Sequence, residues 1–202
     1  MGASSSQPLI PLTPFNPPLG IHTSYCAPHP VTLVLKEKAF SFSGDDFNIK
    51  DAANGMDVVR CQGQALSFRD KKVITDTSNR VLFTIKNKLL SVLSTYTGED
   101  PSGRLLFTVK SKFSIGGAKM TAHFINASNG RAIELELRGS FWEGSAAITL
   151  DGRPVAQISR QFLTSREIFT SKQTYYVTVA PGVDLALIAA IAICLDELTT
   201  EG

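Results

Sequence analysis

From Val31 onward, apolar and polar residues alternate in short runs. Ile133-Glu-Leu-Glu-Leu137 is the clearest example. In a strand, its apolar side chains fall on one face and its glutamates on the other. Leu82-Phe-Thr-Ile-Lys86 and Leu106-Phe-Thr-Val-Lys110 read the same way, with Thr and Lys outward. One covered face and one wet face point to an antiparallel sheet. Further strands are predicted at Thr32–Leu35, Ala39–Ser43, Phe47–Asp51, from Val73 up to the Asn79 corner, and at Leu89–Thr95, Met120–Ile125, Phe141–Leu150, Pro154–Ile158 and Thr174–Val179. A recurring corner separates them: Asn54-Gly55, Asn79-Arg80, Gly103-Arg104, Gly130-Arg131 and Gly152-Arg153. Asn-Gly and Asp-Gly steps tolerate the positive φ angles of tight hairpins. From Arg80 to Arg153 the corners recur about every 22–27 residues, the spacing of successive β-hairpins.

Roughly a dozen strands are too many for one open sheet. A sheet closed on itself loses its edges but needs an interior filler. One segment suits that role. Between Val183 and Leu198, every residue from Leu185 to Leu195 is apolar, whichever face of a helix it occupies. Alanines interleaved with Leu and Ile favour helix, Pro181-Gly182 breaks the chain just before it, and Asp184 would sit in the first turn, where the helix dipole favours a carboxylate. A helix apolar all round must be enclosed. A membrane span needs about 20 apolar residues, and this run has eleven. The expected fold is therefore mainly β: a closed antiparallel barrel of about twelve strands around a central helix at 183–198. Small faces at Ala186, Ala189, Ala190 and Ala192 let the strands approach.

Residues 1–28 form a different regime. Seven of the ten prolines lie in the first thirty residues, and no charge precedes Lys36. This reads as a disordered or extended tail, with the folded domain at 29–202. The opening Met1-Gly2-Ala3-Ser4-Ser5-Ser6 fits the myristoylation pattern at Gly2.

The net charge of +2 directs the chain to no particular partner. The distribution does more. Eleven Lys and Arg face four Asp and Glu between Arg60 and Lys119. Lys86, Lys88, Lys110, Lys112 and Lys119 lie near strand ends. Lined up, they would form a patch for phosphoinositide or other anionic head groups. The same lysines also suit protection of sheet edges against aggregation. Three widely spaced cysteines, Cys26, Cys61 and Cys194, suit a reducing compartment, with no disulfide framework and no zinc site. Cys26 reads as a free thiol or a second acylation point. His22, His29 and His123 lack the partners of a catalytic or metal site, and His123 reads as structural. Gly116-Gly117-Ala118-Lys119 lacks phosphate-loop spacing. No nucleophile elbow, zincin or dinucleotide motif is present. The reading is a non-enzymatic, cytoplasmic monomer peripheral to the plasma membrane. It has no cofactor, no metal and no nucleic acid, and anionic phospholipid is its partner.

Several stretches resemble the LURP-one-related family of plants: Leu33-Val-Leu-Lys-Glu-Lys through Gly44-Asp-Asp-Phe-Asn-Ile-Lys-Asp51; Ser67-Phe-Arg-Asp-Lys-Lys72 with Asp76; Arg138-Gly-Ser-Phe-Trp142-Glu-Gly-Ser145; and Pro181-Gly-Val-Asp184 with the apolar helix. The similarity covers roughly 30–202. It implies a tubby C-terminal-like barrel related to phospholipid scramblases, in a family with no established enzymatic activity and with some members associated with plant defence. Related tubby domains bind phosphoinositides through basic side chains. A second implied reading is scramblase-like lipid translocation, although a scramblase calcium-binding segment is not recognisable.

Overall fold

The alternating runs pair edge to edge. The computed structural model describes residues 11–37, 47–63, 71–88, 93–112, 118–140, 145–159 and 174–200. Its strands are β1 (Val31–Glu37), β2 (Phe47–Asp51), β3 (Asp57–Gly63), β4 (Lys71–Thr75), β5 (Val81–Asn87), β6 (Thr95–Glu99), β7 (Leu105–Lys112), β8 (Ala118–Ile125), β9 (Ala132–Ser140), β10 (Ser145–Leu150), β11 (Arg153–Ser159) and β12 (Thr174–Val179). Each pairs antiparallel with the next, and β1 pairs with β12 to close the barrel. The seam is apolar inside, with Val31 opposite Val179, Leu33 opposite Val177 and Leu35 opposite Tyr175. The turns after β2, β4, β6, β8 and β10 share one end, the near end.

Three expected strands need adjustment. The one placed at Leu89–Thr95 lies at Thr95–Glu99; its 89–92 portion is outside the described residues. The strands at Ala39–Ser43 and over the first residues of Phe141–Leu150 fall there too. β3 was not anticipated. Its inward residues are Val59 and Cys61, and a thiol does not register as a strong apolar beat.

A twelve-strand ring is too wide for side chains alone to fill. The helix α1 (Leu185–Thr200) occupies it. Every residue from Leu185 to Leu195 is buried, and Ala186, Ala189 and Ala190 have no exposed surface. An isolated helix of this length is marginal in water, so enclosure by the strands holds it.

Asp184 does not stand in the first turn. It caps the helix from the preceding position and is fully buried. Its Oδ1 accepts the N–H of Ala186 at 3.0 Å and of Leu187 at 3.1 Å. Its Oδ2 accepts the N–H of Ile21 at 3.1 Å and of His22 at 2.7 Å. Burial pushes its carboxyl above the usual range, against the lowering effect of the His22, Leu187 and Ile21 N–H groups.

Those bonds overturn the disordered-tail expectation for residues 11–28. This stretch straps the near end of the barrel. Phe15 and Leu19 are buried. Phe15 N–H donates to Pro181 O, and Leu19 N–H to Gly182 O. Arg153 stacks 3.8 Å from the Phe15 ring centroid and donates to Thr13 and Pro14. Asn126 Oδ1 accepts Gly20 N–H, and Ser128 donates to Pro18 O. Proline prevents ladder formation but not burial of the side chains between prolines. Two glycines permit the close approach. A Cβ on Gly20 would lie 2.1 Å from Asp184 Cβ, and one on Gly182 would lie 2.3 Å from Phe15 O.

One inward strand position carries a charge. Lys72, 4% exposed, points into the barrel and meets Glu197 at 2.9 Å near the last turns of α1. At the preceding helix residue the Tyr175 hydroxyl donates to Asp196. The helix is thus apolar along its length and polar where it nears the far end.

Two of the repeated corners are each built around one aspartate. Asp76 Oδ1 accepts the N–H groups of Ser78 and Arg80, and its Oδ2 accepts Arg80 Nε at 3.1 Å. Asp100 repeats this with Ser102 and Arg104. Hydrogen bonds hold both carboxyls below the ordinary value of 3.8, led by the Arg80 N–H at Asp76 and the Ser102 side chain at Asp100. Each contributes stability above pH 3.8, and that contribution is lost as pH falls through its lower folded value. The double variant Asp76→Asn, Asp100→Asn should therefore melt below the parent at neutral pH. In calorimetric scans, the difference should close as the pH falls below 3.8.

Candidate functional site

Alternation sends Lys110 and Lys112 outward on β7, Lys119 outward on β8, and Glu134, Glu136 and Arg138 outward on β9. Strand register then decides which of them meet. Lys112 stands opposite Lys119, and Lys119 stands opposite Arg138. Three cations thus lie in one row across adjacent strands, at roughly 5 Å per strand. Lys110 stands opposite Thr95 and Thr121. Lys88, just beyond β5, donates its backbone N–H to Thr95 O at 2.8 Å. All five predicted lysines therefore lie on the far-end half of the wall over β5–β8, with Lys88, Lys110, Lys112 and Lys119 nearest its end.

Like charges in register cost stability, and carboxylates on β9 offset part of that cost. Lys112 reaches Glu134 Oε1 at 3.3 Å, and Arg138 reaches Glu136 Oε2 at 2.6 Å. His123 Nδ1 is 3.8 Å from the other Glu134 oxygen, and its Nε2 lies 3.2 Å from Thr121 Oγ1. His123 thus sits among the outward polar groups of β8 and β9. Thr121 points outward yet is 2% exposed, so long neighbouring side chains roof it. Lys88, Lys110 and Lys119 have no ionic partner among the described residues. Exposed ion pairs are weak and rearrange readily. The face can therefore present several ammonium groups to one multivalent anion.

Lys86 stands apart from this row. It lies opposite Lys71 on β4 and pairs closely with Glu99. Gly2 lies outside the described residues. Sequence reasoning missed Arg138 and Lys71. Their outward direction is legible in the alternation, but their neighbours are not, because register is set by strands distant in sequence.

Burial disfavours the thiolate at two of the three free cysteines. Burial, with the Asp184 charge, pushes the Cys26 thiol up to about 12. Burial also raises Cys194 strongly. Among the described residues no group of three or more His, Cys, Asp or Glu is placed to hold a metal ion, and no helix is long and apolar enough to cross a membrane.

The family model described as LURP-one-related matches residues 31–196. The chain is similar to protein LURP-one-related 15 of Arabidopsis thaliana, at 26% identity over 188 residues covering 90% of this chain and 86% of that one. It is also similar to protein LURP-one-related 10 of the same plant, at 24% identity covering 90% and 96%. The uncharacterized protein YxjI of Bacillus subtilis is 28% identical, covering 82% and 92%. An X-ray structure of an Arabidopsis thaliana protein shares the fold, with a TM-score of 0.62, 23% identity, and coverage of 89% of this chain and 97% of that one.

Proposed function

The chain belongs to the LURP-one-related family, and on that premise we propose that it is a non-enzymatic module binding anionic phospholipid head groups at a membrane surface. The observation that carries this reading is the alignment of Lys112, Lys119 and Arg138, with Lys110 and Lys88 beside them. Phosphoinositides are the favoured ligands, because several phosphates on one ring answer several ammonium groups spaced by strand register. The module acts as a cytoplasmic monomer at the inner face of the plasma membrane. Acylation at Gly2 adds the second, marginal membrane signal that a basic patch complements. Surface binding is preferred to scramblase-like lipid translocation because the oily helix is spent inside the barrel. A role in plant defence belongs to the same proposal, and pathogen growth on plants lacking the protein tests it.

Vesicle flotation tests the binding. The protein should float with phosphoinositide-containing vesicles and remain behind with neutral ones. Each lysine near an anionic surface contributes about 1 kcal/mol. The triple variant Lys88→Ala, Lys110→Ala, Lys119→Ala should then bind roughly 100-fold more weakly. Raised salt should weaken the parent too. Failure of both the acylated and the bare protein to float would end the proposal.

A further inference from the structure

A second feature of the outer wall lies on β4, β5 and β6, away from the lysine row. It is a groove of about 250 Å³ with Val73 and Thr84 among its lining residues and Lys71, Lys86, Glu99 and Asp100 around it. Lys71 and Lys86 are directly opposite in the β4–β5 ladder. Such a like-charged pair is unfavourable unless something negative lies between its members. Glu99 answers Lys86, and Asp100 is engaged by its own corner and Arg104. Among the described residues Lys71 has no ionic partner, and the Thr84 hydroxyl has no hydrogen-bond partner.

Two positive and two negative groups make this groove electrically balanced, unlike the lysine row. A simple anion drawn to Lys71 also meets two carboxylates. A simple cation drawn to Glu99 also meets two ammonium groups. A ligand carrying both charges satisfies both sets. The volume lies under the roughly 300–1,000 Å³ of sites for drug-sized molecules, so a small polar group fits and a whole lipid does not. The Lys86–Glu99 pair is partly exposed, at 30% and 23%. Pairs of that kind are weak enough to be shared with an incoming ligand.

We propose that this groove binds a phosphate ester joined by a short carbon chain to an ammonium group. The phosphate lies between Lys71 and the Thr84 hydroxyl with Val73 flanking it on β4, and the short carbon chain leads across β5 to place the ammonium on Glu99, which stands opposite Thr84 on β6. The ligand is either a soluble phosphomonoester or the diester head group of an aminophospholipid. This inference stands on residues that the proposed lipid-surface function does not use.

Amide shifts of Val73, Thr84 and Gly103 in the isotope-labelled full chain read the binding. The probes are phosphoethanolamine, glycerophosphoethanolamine, inorganic phosphate and ethylammonium. Phosphoethanolamine should saturate these shifts at a concentration roughly tenfold or more below either single-charge probe, as loss of a charged hydrogen bond implies. Lys71→Ala should weaken it by a similar factor. Glu99→Gln should erase the preference over inorganic phosphate, with unchanged dispersion elsewhere confirming the fold. A diester that binds as well as the monoester identifies a lipid head group, and a monoester that binds alone identifies a soluble ligand. Absent shifts, or inorganic phosphate binding equally well, would overturn the inference. The Lys88, Lys110, Lys119 triple variant should retain groove binding, so failure here and failure of flotation are separable.

Discussion

Ala189→Asp should yield no soluble folded protein. Ala189 has no exposed surface and sits on α1 in the middle of the barrel. The new carboxylate has no partner beside it, since the polar groups that meet the helix lie at its ends, at Asp184 and at Lys72 with Glu197. Burial of one unpaired ion costs several kcal/mol even after relaxation, and overpacking adds about 1–3 kcal/mol. A domain is stable by only about 5–15 kcal/mol. The measurement is soluble yield with circular dichroism of whatever is recovered. Ala189→Gly is the control; it should fold with a loss of about 1 kcal/mol. A soluble Ala189→Asp protein that melts like the parent would refute the enclosed-helix architecture.

The second large effect is expected at Asp184→Ala. The substitution removes the acceptor for four backbone N–H groups, two in the helix and two in the strap. Loss of a cap costs about 1 kcal/mol, and a buried donor left without an acceptor costs about 1–3 kcal/mol. The sum is on the order of 3–6 kcal/mol. At about 2–4 °C per kcal/mol for a domain of this size, the melting temperature should fall by about 10 °C or more. Hydrogen exchange separates the two roles. Ile21 and His22 should lose protection together with Ala186 and Leu187. Loss confined to the helix amides would mean that the strap is held by its apolar contacts alone.

The parts of this architecture legible in the sequence are those that depend on local period. Ile133–Leu137 announces a strand because its two faces differ in kind. Leu185–Leu195 announces an enclosed helix because it has no polar face and is too short for a bilayer. The parts that were hidden depend on distant partners. Asp184 reads as an ordinary dipole carboxylate until the strap returns two further N–H groups to it. Phe15 and Leu19 read as part of a loose tail because nothing nearby in sequence reveals the pocket at Pro181-Gly182. Lys72 reads as one more lysine, yet it shares the inward face of β4 with Ile74 and meets Glu197 there. The binding face was half visible: the lysines and their outward direction could be read, but the row they form with Arg138 required the register of β7, β8 and β9.

The seam between β1 and β12 joins the barrel's first strand to its last, and the lumen's filling follows that last strand. A chain still emerging from the ribosome therefore has neither its final staple nor its stuffing. It can zip hairpins one after another, but the cylinder cannot shut until β12 has been made. A stop before Thr174 leaves β1 with an unmated edge and the cylinder hollow.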